Sequence, residues 1–164
     1  MKILVVSDTH GKNENLREVI DHERPDRIYH LGDGEGLEEN GWMFTVPLEI
    51  VRGNCDWGSN LPSFVVLEVG RHVIFLAHGH QYNINYDRSA IIEAATQRGC
   101  DVILHGHTHV PYLDYISTPA GPVTIGNPGS LSFPRQESRL HTYMIIEVDS
   151  AGEFKYTLHS CEDL

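Results

Sequence analysis

The chain has 164 residues, 40% of them apolar, which suits one soluble domain (1–164) with a sizeable core. Its formal net charge is −11 and no Lys/Arg cluster offsets it, which argues against binding to duplex nucleic acid. Three scattered cysteines without a CxxC pair argue against a disulfide framework or a thiolate zinc site, and no apolar run nears the about 20 residues of a membrane helix.

In chain order, "KILVVSD" (2–8) reads as a strand buried on both faces. It is too short for a signal-peptide core and runs straight into Asp8, so a cytoplasmic location is expected. Residues 13–23 carry Leu16, Val19 and Ile20 at helical spacing, with Asn13 or Asn15 as candidate cap and Pro25 as stop. "RIYHLGD" (27–33) and "LEIVRGN" (48–54) are the next strands, separated by a Gly-rich stretch. Residues 63–70 and 72–79 predict a hairpin around Gly70-Arg71. Residues 86–99 predict a helix with Ile91, Ile92 and Ala95 on its apolar face and Gly99 as C-cap. Strands follow at 101–106, 111–117, 122–127, 141–149 and 154–160. A β-α-β opening implies a parallel sheet, and the strand-rich remainder implies a second sheet packed on it, with helices outside.

Five strands end alike, each stopping at a polar cluster with glycine: "SDTHG" (7–11), "GDGE" (32–35), "GNCD" (53–56), "HGH" (78–80) and "HGHTH" (105–109). Ligand sites in open α/β sheets lie beyond the carboxyl ends of the strands, so these clusters can converge. Asp8 and His10, and likewise His107 and His109, stand at i, i+2, which on extended backbone directs both side chains to one side. With Asp33, Asn54 and His78 they form a set of nitrogen and oxygen donors large enough for two cations. Singly, each has an ordinary explanation: an Asx-turn for Asp8, Asp33 or Asn54, a hydrogen-bonded core residue for His78. Independent turns seldom fall at five strand ends, and that joint pattern favours a site. His22, His30, His72, His141 and His159 read as surface or packing residues.

The order D-x-H, G-D, G-N-x-D, H-G-H, G-H-x-H resembles the calcineurin-like metallophosphoesterases, and "GNCD" with "NPGS" (127–130) resembles their small bacterial and archaeal phosphodiesterase branch. The resemblance spans residues 3 to about 135. It implies a four-layer α/β/β/α sandwich of two mixed sheets with flanking helices. It also implies a first metal on Asp8, His10 and His109, a second on Asn54, His78 and His107, and Asp33 bridging them. Manganese is the first expectation, with nickel, magnesium, iron or zinc also suited to the donors. The implied reaction is attack on phosphorus by a hydroxide bridging two cations, in line with the leaving alcohol.

The family's phosphatases place a histidine where this chain has Cys55, and a thiol is a poor acid for an alkoxide. The expectation is therefore a phosphodiesterase rather than a monoesterase, with His80 as candidate acid and Asp56 as acid or as an orienting carboxylate. "GNPGSLSFPR" (126–135) reads as a turn first; Ser130 and Arg135 are the residues in it that substrate phosphate would meet. His105 shares the parity of His107 and His109 but lies outside the motif. The expected substrate is a small phosphodiester or nucleotide-like molecule, and family resemblance implies a homo-oligomer. The competing reading is a non-catalytic metal-binding scaffold like a retromer subunit, disfavoured because all seven ligand positions match.

Overall fold

The structure is a computed structural model describing residues 1–164, apart from the side chains of Trp42 and Met43. Strands β1 (Lys2–Val6), β2 (Arg27–His30) and β3 (Leu48–Ile50) run parallel, with helix α1 (Glu14–Glu23) crossing between the first two. Strands β4 (Phe64–Val69) and β5 (His72–Ala77) form the expected hairpin. Helix α2 (Ser89–Thr96) leads to β6 (Val102–Leu104), then β7 (Tyr112–Thr118), β8 (Gly121–Asn127), β9 (Thr142–Val148) and β10 (Phe154–Ser160). One sheet has the order β10-β9-β1-β2-β3 and the other β4-β5-β6-β8-β7. Both are mixed, with β5, β6 and β8 parallel in the second.

Alternation along β1 explains the stacking. Ile3 and Val5 face a core shared with Ile74, Leu76 and Leu104 of the other sheet, whereas Leu4 and Val6 face Leu16 and Val19 of α1. All four β1 residues have no solvent exposure. Each such aliphatic side chain contributes roughly 1.5–3 kcal/mol, so neither face of the strand tolerates a polar residue. A third cluster joins Phe75, Ala77 and Ile103 to Ile91 and Ala95 of α2. Helix, sheet, sheet, helix is the expected four-layer order.

The caps differ from expectation. Asn13 stands at the N-cap position of α1 but its side chain makes no capping bond, and Asn15 donates to the Leu131 carbonyl at 2.7 Å, tying the helix to the β8–β9 connection. Asp87 accepts from the Ser89 N–H and hydroxyl ahead of α2, so that helix is shorter than the predicted span. Gly99, at φ +73, does close α2: its N–H reaches the Thr96 carbonyl and the Cys100 N–H reaches that of Ala95, a Schellman pair. Sequence periodicity did not show the 3₁₀ segment Leu37–Met43, which buries Leu37 against the α1 side. Among the described residues no helix is long and apolar enough to cross a membrane.

Candidate metal centre

The parallel strands bring their carboxyl ends to one edge, where backbone bonds link the loops beyond them. Asp8 N–H donates to Gly32, His10 N–H to Asp33, and Gly106 N–H to His78. The two sheets meet there too, because His78 Nδ1 lies 2.7 Å from the Leu31 carbonyl. The i, i+2 geometry expected from extended strands is not how the donors converge. β1 ends at Val6 and β6 at Leu104, and Asp8, His10, His107 and His109 have φ of 56, 47, 70 and 60°. Asp33 and Glu35 share this left-handed conformation, which Asp, Asn and His adopt more readily than most residues. Turns, rather than strand parity, aim these side chains inward.

Asp8 Oδ1 is the focus. His109 Nε2 lies 3.0 Å from it, His78 Nε2 3.7 Å and His10 Nε2 3.8 Å. Asp33 Oδ2 lies 3.2 Å from His78 Nε2 and 3.8 Å from His10 Nε2, between the two imidazoles. Asn54 Oδ1 is 3.0 Å from His78 Nε2. Within this space Asp8, His10 and His109 form one group able to hold a cation, Asp8, Asp33 and His78 a second, and His10, Glu35 and Cys55 a third at the rim.

Proton positions can be read from the far side of each ring. A carbonyl only accepts, so His78 Nδ1 donates to Leu31 and His109 Nδ1 donates to Phe133 at 2.7 Å. His10 Nδ1 faces the Glu35 carboxylate at 3.3 Å. A neutral ring so held turns an Nε2 lone pair toward Asp8 and Asp33, leaving acceptor against acceptor. Among the described residues Asp8 Oδ1 is buried without a hydrogen-bond partner. Only a proton or a cation relieves that arrangement, so the donors fit a metal. Burial raises the Asp8 carboxyl, but His109 and His78 outweigh it and hold it below the ordinary range. Asp33 is likewise buried yet held well down by His78 and by the Cys55 N–H on Oδ1. For His78, burial favours the neutral ring, and the two carboxylates reverse that and raise its pKa.

His107 stands apart. Its ring is 5.1 Å from that of His78, but Nε2 is 3.0 Å from Asn85 Nδ2 and it joins none of the cation-holding groups. The His80 ring lies 5.4 Å from His78 and 6.0 Å from His107, with Nδ1 buried and without a hydrogen-bond partner among the described residues. Burial first, then His78, lowers its pKa. Cys55 is pushed up to about 11 by burial and by Asp33, so it stays a thiol at neutral pH.

The remaining predicted residues brace the site. Asp56 accepts three backbone N–H groups, from Asp33 (2.8 Å), Gly53 (2.7 Å) and Glu35 (2.8 Å), which clamps two ligand loops together. Both its oxygens are so committed, which suits orientation rather than proton donation. Ser130 is fully buried and donates to the Asp8 carbonyl at 2.8 Å, in keeping with the turn role expected for its segment. Asn127 Nδ2 reaches the Gly106 carbonyl at 3.0 Å. His105 donates from Nδ1 to the same carbonyl and accepts the Tyr112 hydroxyl at 2.5 Å, so it is a brace with no free nitrogen. Glu35 is the residue that sequence reading passed over; it belongs to the strand-end cluster "GDGE", but no spacing there marks its contact with His10. Away from the site, His72 pairs with Asp101, His141 with Glu162, and His159 stacks on Tyr143.

His30 lies beneath these loops. Its Nδ1 accepts the Gly32 N–H at 3.2 Å, so Nε2 donates to Thr9 Oγ1 at 3.0 Å and the ring is held neutral. Burial lowers its pKa to about 4, against about 6.5 when unfolded. Between these values the unfolded chain binds a proton that the folded chain refuses, so stability falls as pH falls through the window. By pH 5 the loss is about 2 kcal/mol. His78, with its raised pKa, acts in the opposite sense, so the difference between wild type and His30→Gln isolates the effect. The urea midpoint of metal-free wild type should drop further from pH 7 to pH 5 than that of the variant; equal drops would clear His30.

The chain is similar in sequence and fold to known proteins. The sequence model of the calcineurin-like phosphoesterase superfamily domain matches residues 1–151. The chain belongs to that superfamily. Among its calcineurin-like relatives, the probable metallophosphoesterase YsnB of Bacillus subtilis is 32% identical over 152 residues, covering 92% of this chain and 86% of that protein. The phosphodiesterase MJ0936 of Methanocaldococcus jannaschii is 26% identical over 149 residues, covering 79% of this chain and 83% of its own length. The crystal structure of a predicted phosphoesterase from Streptococcus pneumoniae superposes with a TM-score of 0.81 at 29% identity, over 98% of this chain and 90% of that one. Vps29 of Entamoeba histolytica, solved with Zn²⁺, superposes at 0.70 with 20% identity over 98% and 99% of the two chains, a likeness of fold alone.

Proposed function

We propose that this calcineurin-like phosphoesterase is a dinuclear, manganese-preferring phosphodiesterase of small diesters, with residues 1–164 acting as one cytoplasmic domain that self-associates. The observation that carries the reading is the unpartnered Asp8 Oδ1 facing the Nε2 atoms of His109, His78 and His10. Asp8, His10 and His109 would hold one cation, Asn54, His78 and His107 the other, with Asp33 between. Two divalent cations held there would supply Lewis acidity for displacement at phosphorus. The protein's part is positioning. Leu31, Phe133 and Glu35 orient the three imidazoles, and Asp56 holds the Asp33 and Gly53 loops at fixed separation. His107 would exchange its Asn85 contact for a cation, a side-chain movement of a half-buried residue.

Diesters are favoured because no strong acid stands by. Cys55 keeps its proton up to about 11, and His80 is neutral at pH 7, so it serves a leaving group only through a ring N–H. Bis(4-nitrophenyl) phosphate should be cleaved at least about tenfold faster than 4-nitrophenyl phosphate. The assay spans Mn²⁺, Ni²⁺, Mg²⁺ and EDTA, and EDTA should abolish turnover. Protein that binds metal but cleaves neither ester would establish the scaffold function instead.

A further inference from the structure

The surroundings of the carboxylate–imidazole cluster are electrically lopsided. On one side is a cavity of about 750 Å³, floored by His10 and His109 and walled by Phe133, Arg135 and Arg139. Lys12 adds a third cation, its Nζ 4.3 Å from the Phe133 ring centroid. On the other side is a cavity of about 210 Å³ lined by Glu38, Glu39, Asp56 and Trp57. Glu35 lines both, at the divide.

Three of the chain's twelve basic residues therefore gather on one rim of a protein with a net charge of −11. Elsewhere Lys2, Arg71, Arg88 and Lys155 have carboxylate partners; among the described residues Lys12, Arg135 and Arg139 form no ion pair, and neither do Arg24, Arg27, Arg52 and Arg98, but the first three share one wall. Three cations on one wall, none neutralised by a carboxylate, add their fields where an anion would approach the cluster. Their wall is built into the site. The Arg135 N–H donates to the His109 carbonyl at 3.2 Å, and His109 Nδ1 donates to that of Phe133. Arg139 Nη1 donates to the Pro134 carbonyl at 3.1 Å, which holds its guanidinium over the cavity wall. Phe133 is 43% exposed and His10 meets it edge-on at 5.5 Å, so an apolar surface runs from the cluster to the cations.

We infer that this cavity is a subsite for a second phosphate: the preferred diester carries a terminal phosphate on one of its two alcohol groups. Phe133 takes the body of that group, Arg135, Arg139 and Lys12 take its phosphate, and the Glu38–Glu39 side repels it. This fixes the direction in which such a substrate lies across the cluster. The inference rests on the phosphodiesterase reading for its catalytic consequence, but not for binding.

The test compares the dinucleotides pApA and ApA on the metal-loaded enzyme, and 5′-AMP and adenosine on the metal-free protein by calorimetry. Wild type should favour pApA in kcat/KM by about tenfold or more, mainly through KM. It should bind 5′-AMP at least tenfold more tightly than adenosine. Arg135→Gln with Arg139→Gln should bring both ratios to within about twofold, and Arg139→Lys alone should retain part of each. Both arginines are exposed, so circular dichroism should report an unchanged fold. Equal handling of the paired ligands by wild type, or ratios that survive the double substitution, would overturn the subsite. Bis(4-nitrophenyl) phosphate separates the failures. If it is cleaved without a pApA preference, the subsite alone is wrong; if no diester is cleaved, the phosphodiesterase reading is wrong and the 5′-AMP titration still decides the subsite.

Discussion

Asp33→Asn is expected to lower diesterase kcat about 10³-fold and to reduce bound metal from about two ions to about one. The substitution is nearly isosteric. The carbonyl oxygen of the new amide can still accept the Cys55 N–H that Asp33 accepts at 2.8 Å, so the loop should keep its shape. What disappears is the charge between His10 and His78, 3.8 and 3.2 Å from Oδ2. Two cations held close together repel, and a shared carboxylate is the group that most directly offsets that repulsion. Metal analysis by mass spectrometry, paired with kcat at saturating Mn²⁺, checks both parts. Full activity with full metal content would remove Asp33 from the bridging position.

Gly106→Ala is expected to cost about 3 kcal/mol and to abolish activity in whatever protein still folds. A Cβ there would overlap the Ser7 hydroxyl and come within 2.7 Å of Asp8 Oδ2. Neither neighbour can yield, since Ser7 and Asp8 are fully buried and Ser7 donates to Asp8 Oδ2 at 2.6 Å. The loop cannot yield either. Asn127 and His105 hold the Gly106 carbonyl, and its N–H donates to His78. The strain therefore falls on Asp8, the residue all three imidazoles face. Gly41→Ala, where a Cβ meets nothing within 4 Å among the described residues, is the control and should leave the urea midpoint nearly unchanged. A Gly106→Ala protein as stable as that control would show that the loop is looser than its hydrogen bonds imply.

Much of the fold was legible because its signals are local. β1 could be read as doubly buried from "ILVV", and Ile91 and Ala95 marked the inner face of α2. Caps were less legible. Asn15 looks like a cap in sequence, but a long-range acceptor at Leu131 claims its amide. In the candidate site, residue types and their order along the chain pointed to Asp8, Asp33, His78 and His109, which the structure does bring together. Glu35 and Asp56 show the limit. Their roles depend on which backbone N–H or imidazole each carboxylate reaches across about 20 residues or more of chain, and a spacing rule carries no such information.

From sequence alone, this protein had its alternating faces, its strand-end clusters and its donor chemistry, because pleat periodicity and ligand preference are properties of neighbouring residues. Tertiary structure decided the rest. It separated His109, which faces Asp8, from His107, which Asn85 holds, and His105, which braces Gly106. It also set Lys12 on the ring of Phe133, which shares a cavity wall with Arg135 and Arg139, more than a hundred residues away in the chain. Both outcomes depend on left-handed turns and on two sheets meeting at one edge, where a side chain's direction is set by long-range backbone hydrogen bonds.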